Sequence, residues 1–169
     1  MNKERKVIDN AIVVFNKKKV KARDLKQLKY FKGDIVINGE LHCNNNIYLE
    51  CENLYVKSIK SDKHDSKDIY ISGNLIVEED IDCWDLYVEG AIYCKGNIDA
   101  MNINVIEDLY GAKIDAHNGY ITVSGNLVCD EIKSCSELSV LGKTYAKSTI
   151  VAKIFDLRGR ASAKRIRTY

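Results

Sequence analysis

The residues of this chain best suited to nucleophilic or metal chemistry are six cysteines and three histidines. The cysteines are Cys43, Cys51, Cys83, Cys94, Cys129 and Cys135. No two of them form a CxxC pair, so the sequence supports neither a zinc ribbon nor a thioredoxin-type redox motif. His42, His64 and His117 lie in no nucleophile or metal motif, and no glycine-rich phosphate loop occurs. We therefore predict no catalytic residue, no metal ligand, no cofactor and no enzymatic activity.

One polar segment, IKSDKHDSKD (59–68), brings together side chains that can bind metals. Asp62, His64 and Asp65 could form a site, but two or three ligand types close in sequence are a weak signal. The favoured interpretation is a solvated loop that replaces one strand in a shortened structural unit.

Charged side chains divide the chain into three parts. Residues 1–32 hold 11 Lys/Arg against 3 Asp/Glu, and residues 153–169 hold 6 against 1. Residues 33–152 hold 9 against 20, so the net charges along the chain are +8, −11 and +5. This asymmetry favours charged partners, with plain solvation of outward positions as the alternative.

Both charged groups contain candidate binding residues. The basic candidates are Lys17, Lys18, Lys19, Lys21, Arg23, Arg158, Arg160, Lys164, Arg165 and Arg167. The acidic candidates are Glu78, Glu79, Asp80, Asp82 and Asp85. Basic stretches of this kind often bind nucleic acid or an acidic protein surface.

Glycine spacing reveals the elements that must position these side chains. Gly73 and Gly90 are 17 residues apart, as are Gly125 and Gly142, and Gly142 and Gly159. An alternating apolar pattern recurs as IVING (35–39), LYVKS (54–58), IYISG (69–73), LYVEG (86–90), INVIE (103–107), ITVSG (121–125), LSVLG (138–142) and FDLRG (155–159). Each unit holds three short segments of period two, joined by Gly, Asn or Asp, and none is long enough for a helix.

Stacking such units would align small and apolar residues in ladders. One predicted ladder contains Cys43, Val77, Cys94, Cys129, Ala146 and Ala163. Another contains Ile47, Ile81, Ile98, Ile114, Ile132 and Ile150, and Cys83 falls in a further one with Ala100, Ala116 and Ala152. Cysteine in such a ladder behaves as a small buried hydrophobe, so we predict that these cysteines are structural.

These patterns predict an all-β protein, a single-stranded, three-sided β-helix (β-solenoid) with about 17 residues per coil. Strands of three or four residues are stable only when stacked on their equivalents, and the apolar set then fills the rod while the polar set faces water. About eight coils would give a rod of roughly 38 Å at ~4.8 Å per coil.

The ends of the chain do not follow the repeat. VIDNAIVVF (7–15) and KARDLKQLKYF (21–31) could each form an amphipathic helix. We predict a basic N-terminal cap (1–32) that covers the open edge of the rod, the β-helix itself (33–165) and a basic C-terminal tail (166–169). With neither a run of about 18 apolar residues nor a signal peptide, we expect no membrane span, a cytoplasmic location and reduced thiols.

The repeat GNIDAMNINV (96–105), with VEGAIYCKGNIDA (88–100), resembles the coil of bactofilins over roughly residues 34–165. Bactofilins are bacterial scaffold proteins that polymerise through a right-handed β-helix. IDCWDLYV (81–88) is also similar to short degenerate β-helix repeats in proteins of Firmicutes and their phages. These resemblances imply a right-handed solenoid without a nucleotide cofactor.

Two main functions remain open. The first is a bactofilin-like self-assembling scaffold, in which the partner is a second copy of the chain. The alternative is a phage or mobile-element protein that inhibits a host nucleic-acid-processing defence enzyme, as an anti-CRISPR protein does, through its acidic rod and basic ends. A capped rod favours this alternative because a cap would block end-to-end growth. Direct nucleic-acid binding by the basic ends is a third, weaker hypothesis.

Overall fold

The computed structural model describes residues 11–61 and 67–169, which form one β-solenoid. This part of the chain contains 18 strands, one short 3-10 helix (Ala22–Leu28) and about eight turns spaced roughly 18 residues apart. Its strand pairings are parallel, because each coil lays its strands on those of the preceding coil. The predicted fold class, an all-β solenoid of three-sided coils, is confirmed.

The strands lie on three faces of the rod, which we call faces A, B and C. Face A is formed by β1 (Ala11–Phe15), the first parts of β3 (Gly33–Cys43) and β5 (Asn53–Ser61), β7 (Asn74–Val77), β10 (Ile92–Cys94), the first parts of β13 (Leu109–Ala116), β15 (Leu127–Val140) and β16 (Thr144–Leu157), and β17 (Ala161–Ser162).

The other two faces follow in the same chain order. Face B is formed by β2 (Lys19–Lys21), β8 (Ile81–Asp82), β11 (Ile98–Ala100), β18 (Arg165–Arg167) and the middle or later parts of β3, β5, β13, β15 and β16. Face C is formed by β4 (Ile47–Leu49), β6 (Asp68–Ile71), β9 (Asp85–Val88), β12 (Asn102–Val105), β14 (Ile121–Val123) and the last parts of β15 and β16.

Period-two alternation builds the interior. In β12, Ile103 and Val105 are fully buried, whereas Asn102 and Asn104 are only half-buried. Ile103 stacks between Leu86 and Ile121 of the adjacent coils. Because every coil repeats this arrangement, buried Ile, Leu and Val side chains form one continuous core along the rod.

Polar ladders hold the corners between faces A and C. The side-chain amide of Asn53 donates to Asp34 Oδ1 at 2.8 Å, and that of Asn74 donates to Asn53 Oδ1 at 2.9 Å. The oxygen of Asn74 accepts the backbone N–H of Ala91 at 2.9 Å. One chain of hydrogen bonds therefore links four successive coils and satisfies polar groups that the turn removes from water.

The predicted assignment of segments to ladders is wrong in the first coils. The segments at 35–37 and 54–56 pair with each other on face A, whereas the segment at 69–71 lies on face C and pairs with 47–49. Accordingly, Cys43 lies on face B rather than with Cys94, and Ile47 lies on face C rather than with Ile81. The assignment failed because all three faces share the same apolar-x-apolar pattern.

The coil that contains residues 59–68 is longer than its neighbours, not shorter. Asn53 pairs with Asn74, so this coil spans 21 residues, whereas Ile92 pairs with Leu75 and Leu109, 17 residues away on either side. Residues 59–61 are paired in β5, and the hypothetical metal ligands Asp62, His64 and Asp65 lie outside the described residues.

The described part of the N-terminal segment, residues 11–32, belongs to the solenoid. The predicted helix at 7–15 is wrong for its described portion, because Ala11–Phe15 is a strand that pairs in parallel with residues 33–37. The second predicted helix is present as the 3-10 helix, with Ala22 and Leu25 buried. Within the described residues, strand pairing thus extends from Ala11, ahead of the predicted boundary of 33, to Arg167. β-Branched residues in 11–15 favour the strand.

Candidate interaction faces

The outward surface of face A carries an apolar stripe along the rod. The stripe consists of the residues that strand pairing places directly above one another in eight successive coils: Val14, Val36, Tyr55, Ile76, Tyr93, Tyr110, Val128 and Tyr145. Tyr93 and Tyr110 stack face to face, with ring centroids 5.0 Å apart. Tyr93 is 46% exposed and Tyr145 is 51% exposed, so the stripe presents large apolar side chains to solvent.

A groove of about 960 Å³ runs along the first part of this stripe. Its floor is formed by Val36, Tyr55, Ile76, Tyr93 and Tyr110, and Ile12 lies at its N-terminal end. Lys57, Glu78 and Lys95 lie along one edge, where the chain leaves face A, and Asp34 lies along the other. An apolar floor with charged edges is typical of a surface that binds another macromolecule.

The sequence prediction missed this stripe. Period-two alternation predicts polar outward positions, yet the middle residue of the face A segments is Val, Ile or Tyr in eight successive coils. The signal was present as apolar-apolar-apolar triplets such as LYV, LIV and IYC. These triplets depart from strict alternation, and they mark a strand that is apolar on both sides.

Face B carries the charge. Its outward column contains, in stacking order, Lys21, His42, Lys60, Asp82, Asp99, Asp115, Lys133, Val151 and Arg167. The column is therefore basic towards both ends and acidic in the middle. His117 Nδ1 lies 2.7 Å from Asp99 Oδ1, and Lys133 Nζ lies 3.8 Å from Asp115 Oδ2. Desolvation raises the pKa of Asp115, and Lys133 acts against that rise.

The predicted acidic residues do not form one site. Glu78, Glu79 and Asp80 are exposed at the corner between faces A and B, and Asp82 lies on face B. Asp85 starts a strand on face C, where its Oδ1 accepts a hydrogen bond from the Asn102 amide at 2.8 Å. Glu79 Oε1 also lies 3.2 Å from Lys57 Nζ. The structure therefore brings together the first four of these residues and assigns Asp85 to a corner ladder.

The predicted basic residues lie at opposite ends of the rod. Lys17, Lys18, Lys19, Lys21 and Arg23 belong to the first described coil, whereas Arg158, Arg160, Lys164, Arg165 and Arg167 belong to the last two. The separation is roughly 38 Å at ~4.8 Å per coil. Some are paired: Lys19 Nζ lies 3.6 Å from Glu40 Oε1, and Arg158 Nη2 lies 3.4 Å from Asp156 Oδ2.

Face C carries a second, shorter aromatic column of Tyr48, Tyr70 and Tyr87, whose rings also contact one another. Tyr70 and Tyr87 stack with centroids 5.0 Å apart. The Tyr70 hydroxyl donates to Glu89 Oε1 at 2.6 Å, and this bond raises its pKa to about 12. Trp84, half-buried at the corner that precedes this face, is not part of the column.

Five cysteines are buried and Cys135 is half-buried. Burial raises the thiol pKa of Cys43, Cys51 and Cys129 to about 12 and that of Cys94 to about 11, and it also raises that of Cys83. A thiol attacks electrophiles as the thiolate, so we expect these groups to react little in the folded protein at neutral pH.

We expect a thiol reagent at mildly alkaline pH to modify Cys135 alone in the folded protein and all six cysteines after unfolding. The measurement is a colorimetric thiol count with and without denaturant. Cys135→Ala should remove the reaction of the folded protein and leave the other five to react on unfolding. Two or more reactive thiols in the folded wild type would contradict the structural role of the buried five.

Within residues 11–61 and 67–169, no group of three or more His, Cys, Asp or Glu side chains is placed to hold a metal ion. The same part of the chain has no helix that is both long and apolar enough to cross a membrane. The fold and its faces define the class of protein, a β-solenoid with one apolar and one charged face. Comparison with protein-family models, with curated proteins and with solved structures found no match. The resemblance to bactofilins stays a prediction from the repeat.

Proposed function

We propose that this protein is a non-catalytic, self-assembling scaffold whose rods associate side by side. The observation that carries the proposal is the apolar stripe, which follows the rod over eight coils. Water-exposed apolar surface of this extent is unfavourable for an isolated rod, and burying it against another macromolecule is favourable. A second copy of the chain presents a surface of matching length.

Growth beyond a pair requires another contact, because two identical faces that pack on each other close at a dimer. Face B is suited to supply it. Its column is basic towards the ends and acidic at Asp82, Asp99 and Asp115. When neighbouring rods are offset by about half their length, the basic end of one rod meets the acidic middle of the next. This contact is electrostatic, so salt weakens it.

The alternative function, inhibition of a nucleic-acid-processing defence enzyme, is supported by the same three aspartates. Carboxylates stacked one coil apart, about 4.8 Å, form a linear row of negative charge that could occupy a basic nucleic-acid groove. Lys133 partly neutralises this row, and His117 Nδ1 already contacts Asp99. The alternative also leaves the apolar stripe without a role. We therefore favour the scaffold.

Size exclusion with light scattering, over a wide concentration range at low and high salt, tests the proposal. We expect the mass to grow with concentration, and Tyr93→Asp to shift that growth to at least about tenfold higher concentration, because aromatic side chains dominate such interfaces. Tyr48→Asp on face C is the matched control: Tyr48 is 47% exposed and Tyr93 46%. A wild type that stays monomeric throughout would refute the scaffold.

A further inference from the structure

We propose that the apolar stripe of face A is a two-fold interface in which two copies of the chain pack face to face with their rods antiparallel. The inference rests on the proposed self-assembly and adds the partner surface and its orientation. It requires an adequate contact area, an orientation that suits the charged edges, and side chains that fit at the centre.

The area of the stripe suits a weak contact between two copies. Tyr55, Tyr93, Tyr145, Ile12 and Val14 are between 38% and 63% exposed. An aromatic side chain can bury on the order of 150–250 Å², so the exposed parts of the three tyrosines, with those of Val14 and the neighbouring Ile12, offer roughly 500 Å² per copy. A pair would bury about 1,000 Å² in total, which is below the ~1,200–2,000 Å² of stable specific interfaces, so we expect a weak, concentration-dependent contact.

The edges of face A decide the orientation. The charged residues that follow its strands form the exit edge: Lys57, Glu78, Lys95, Asp130, Lys147 and Lys164. The residues at the opposite side form the entry edge: Asp34, Asn53, Asn74, Asp108, Asn126, Lys143 and Arg160. Lys147 Nζ lies 4.0 Å from Asp130 Oδ1, as expected for neighbours in one edge column.

If the two rods were parallel and in register, the exit edge of one copy would lie on the entry edge of the other. Each coil would then face the same coil of the second copy. Lys143 would then face Lys147 of the second copy, and Arg160 would face Lys164, each twice because of the symmetry. Repulsion between like charges at the rim of an apolar contact opposes this arrangement.

If the two rods are antiparallel, the exit edge of one copy lies on the exit edge of the other. The stripe extends over eight coils from Val14 to Tyr145, so its centre lies between the coil of Ile76 and that of Tyr93. A two-fold axis at this centre brings Glu78 of each copy opposite Lys95 of the other copy. It also packs Ile76 against Tyr93 of the second copy, a small side chain against a large one. Opposite charges thus meet twice around a complementary apolar centre.

Charge reversal tests the arrangement. We expect Glu78→Lys and Lys95→Glu each to weaken association by at least about tenfold in sedimentation equilibrium, because each change creates two like-charge contacts. The double variant restores opposite charges and should bring the association constant back to within about threefold of wild type. Lys29→Glu and Glu50→Lys are the matched controls: both residues are exposed at the end of face C in adjacent coils, where the Glu50 N–H donates to the Lys29 carbonyl at 2.8 Å.

The outcomes separate this inference from the function on which it rests. If the wild type never associates, the scaffold itself fails. If it associates but the single reversals have no effect, or the double variant is no better than the singles, the antiparallel interface is wrong and the scaffold stands. If the wild type is monomeric and deletion of residues 1–10 creates association, the chain covers its own groove, and the interface is overturned. Circular dichroism and thermal melting of each variant separate lost association from lost folding.

Discussion

Replacing Gly142 by alanine is expected to lower the free energy of unfolding by about 2–3 kcal/mol, because the new methyl group would meet backbone rather than a movable side chain. A Cβ at this position would lie 2.6 Å from the carbonyl carbon of Gly125 and 2.9 Å from the nitrogen of Asn126, with the Gly125 oxygen closer still. Successive corners stack directly at this point. The methyl group can be accommodated only if two coils move apart, which weakens the strand pairs on both sides.

Gly111→Ala is the matched control for this change. The atoms nearest to a Cβ on Gly111 are the side-chain carbons Ile98 Cδ1 at 3.1 Å and Ile114 Cγ1 at 3.2 Å. These side chains can adjust, and alanine also restricts the unfolded chain, so the net effect should be below about 1 kcal/mol. Urea unfolding followed by circular dichroism measures both variants. Equal losses for the two glycines would show that corner stacking is not the reason for glycine at 142.

The second large effect is expected for Ile103→Ala, which should cost about 3 kcal/mol of unfolding free energy. Ile103 is fully buried in the middle of the rod, where it stacks on Leu86 and Ile121 of the adjacent coils. Backbone pairing on both sides prevents these coils from collapsing into the space left by the missing methyl and methylene groups. The cost therefore includes a cavity as well as lost burial of apolar surface.

Ile106→Ala, three residues further along the chain, provides the comparison. Ile106 is 44% exposed at the corner that follows β12, so truncating it should change stability by less than about 0.5 kcal/mol. Chemical denaturation of both variants at one temperature checks the prediction. A loss at Ile103 no larger than at Ile106 would mean that the interior of the rod is not close-packed. Because coils contact only their neighbours, the Ile103 variant is also expected to broaden the unfolding transition.

Two kinds of contact are expected between rods in an assembly: an apolar contact through the stripe of face A and an electrostatic contact through the charged column of face B. Burial of the stripe is driven by the hydrophobic effect and persists in salt, whereas contacts of face B are electrostatic and are screened by it. Assembly at high salt should therefore stop at the face A pair, while low salt permits further growth. This dependence connects the composition of each face to the size of the particle.

Much of the fold was readable from the sequence. The alternation of apolar and polar residues, as in INV (103–105), predicts which side chains of a strand are buried, since successive residues of a strand point to opposite sides. Glycine spacing of 17 residues gave the coil length, because equivalent corners must stack. The location of the basic residues at the ends of the rod was also predictable, since chain order equals position along the axis in a solenoid.

The sequence alone determined that this protein is a rod with an apolar interior, but only the tertiary structure decided which outward residues share a face. The physical reason is that alternation defines inside and outside one strand at a time and does not identify the neighbours of that strand. Those neighbours depend on the lengths of the turns, and the 21-residue coil at Asn53–Asn74 shifts the assignment of every earlier segment. For this reason Tyr55 and Tyr93 become one stripe, whereas Asp82 and Asp85, three residues apart in the sequence, lie on different faces.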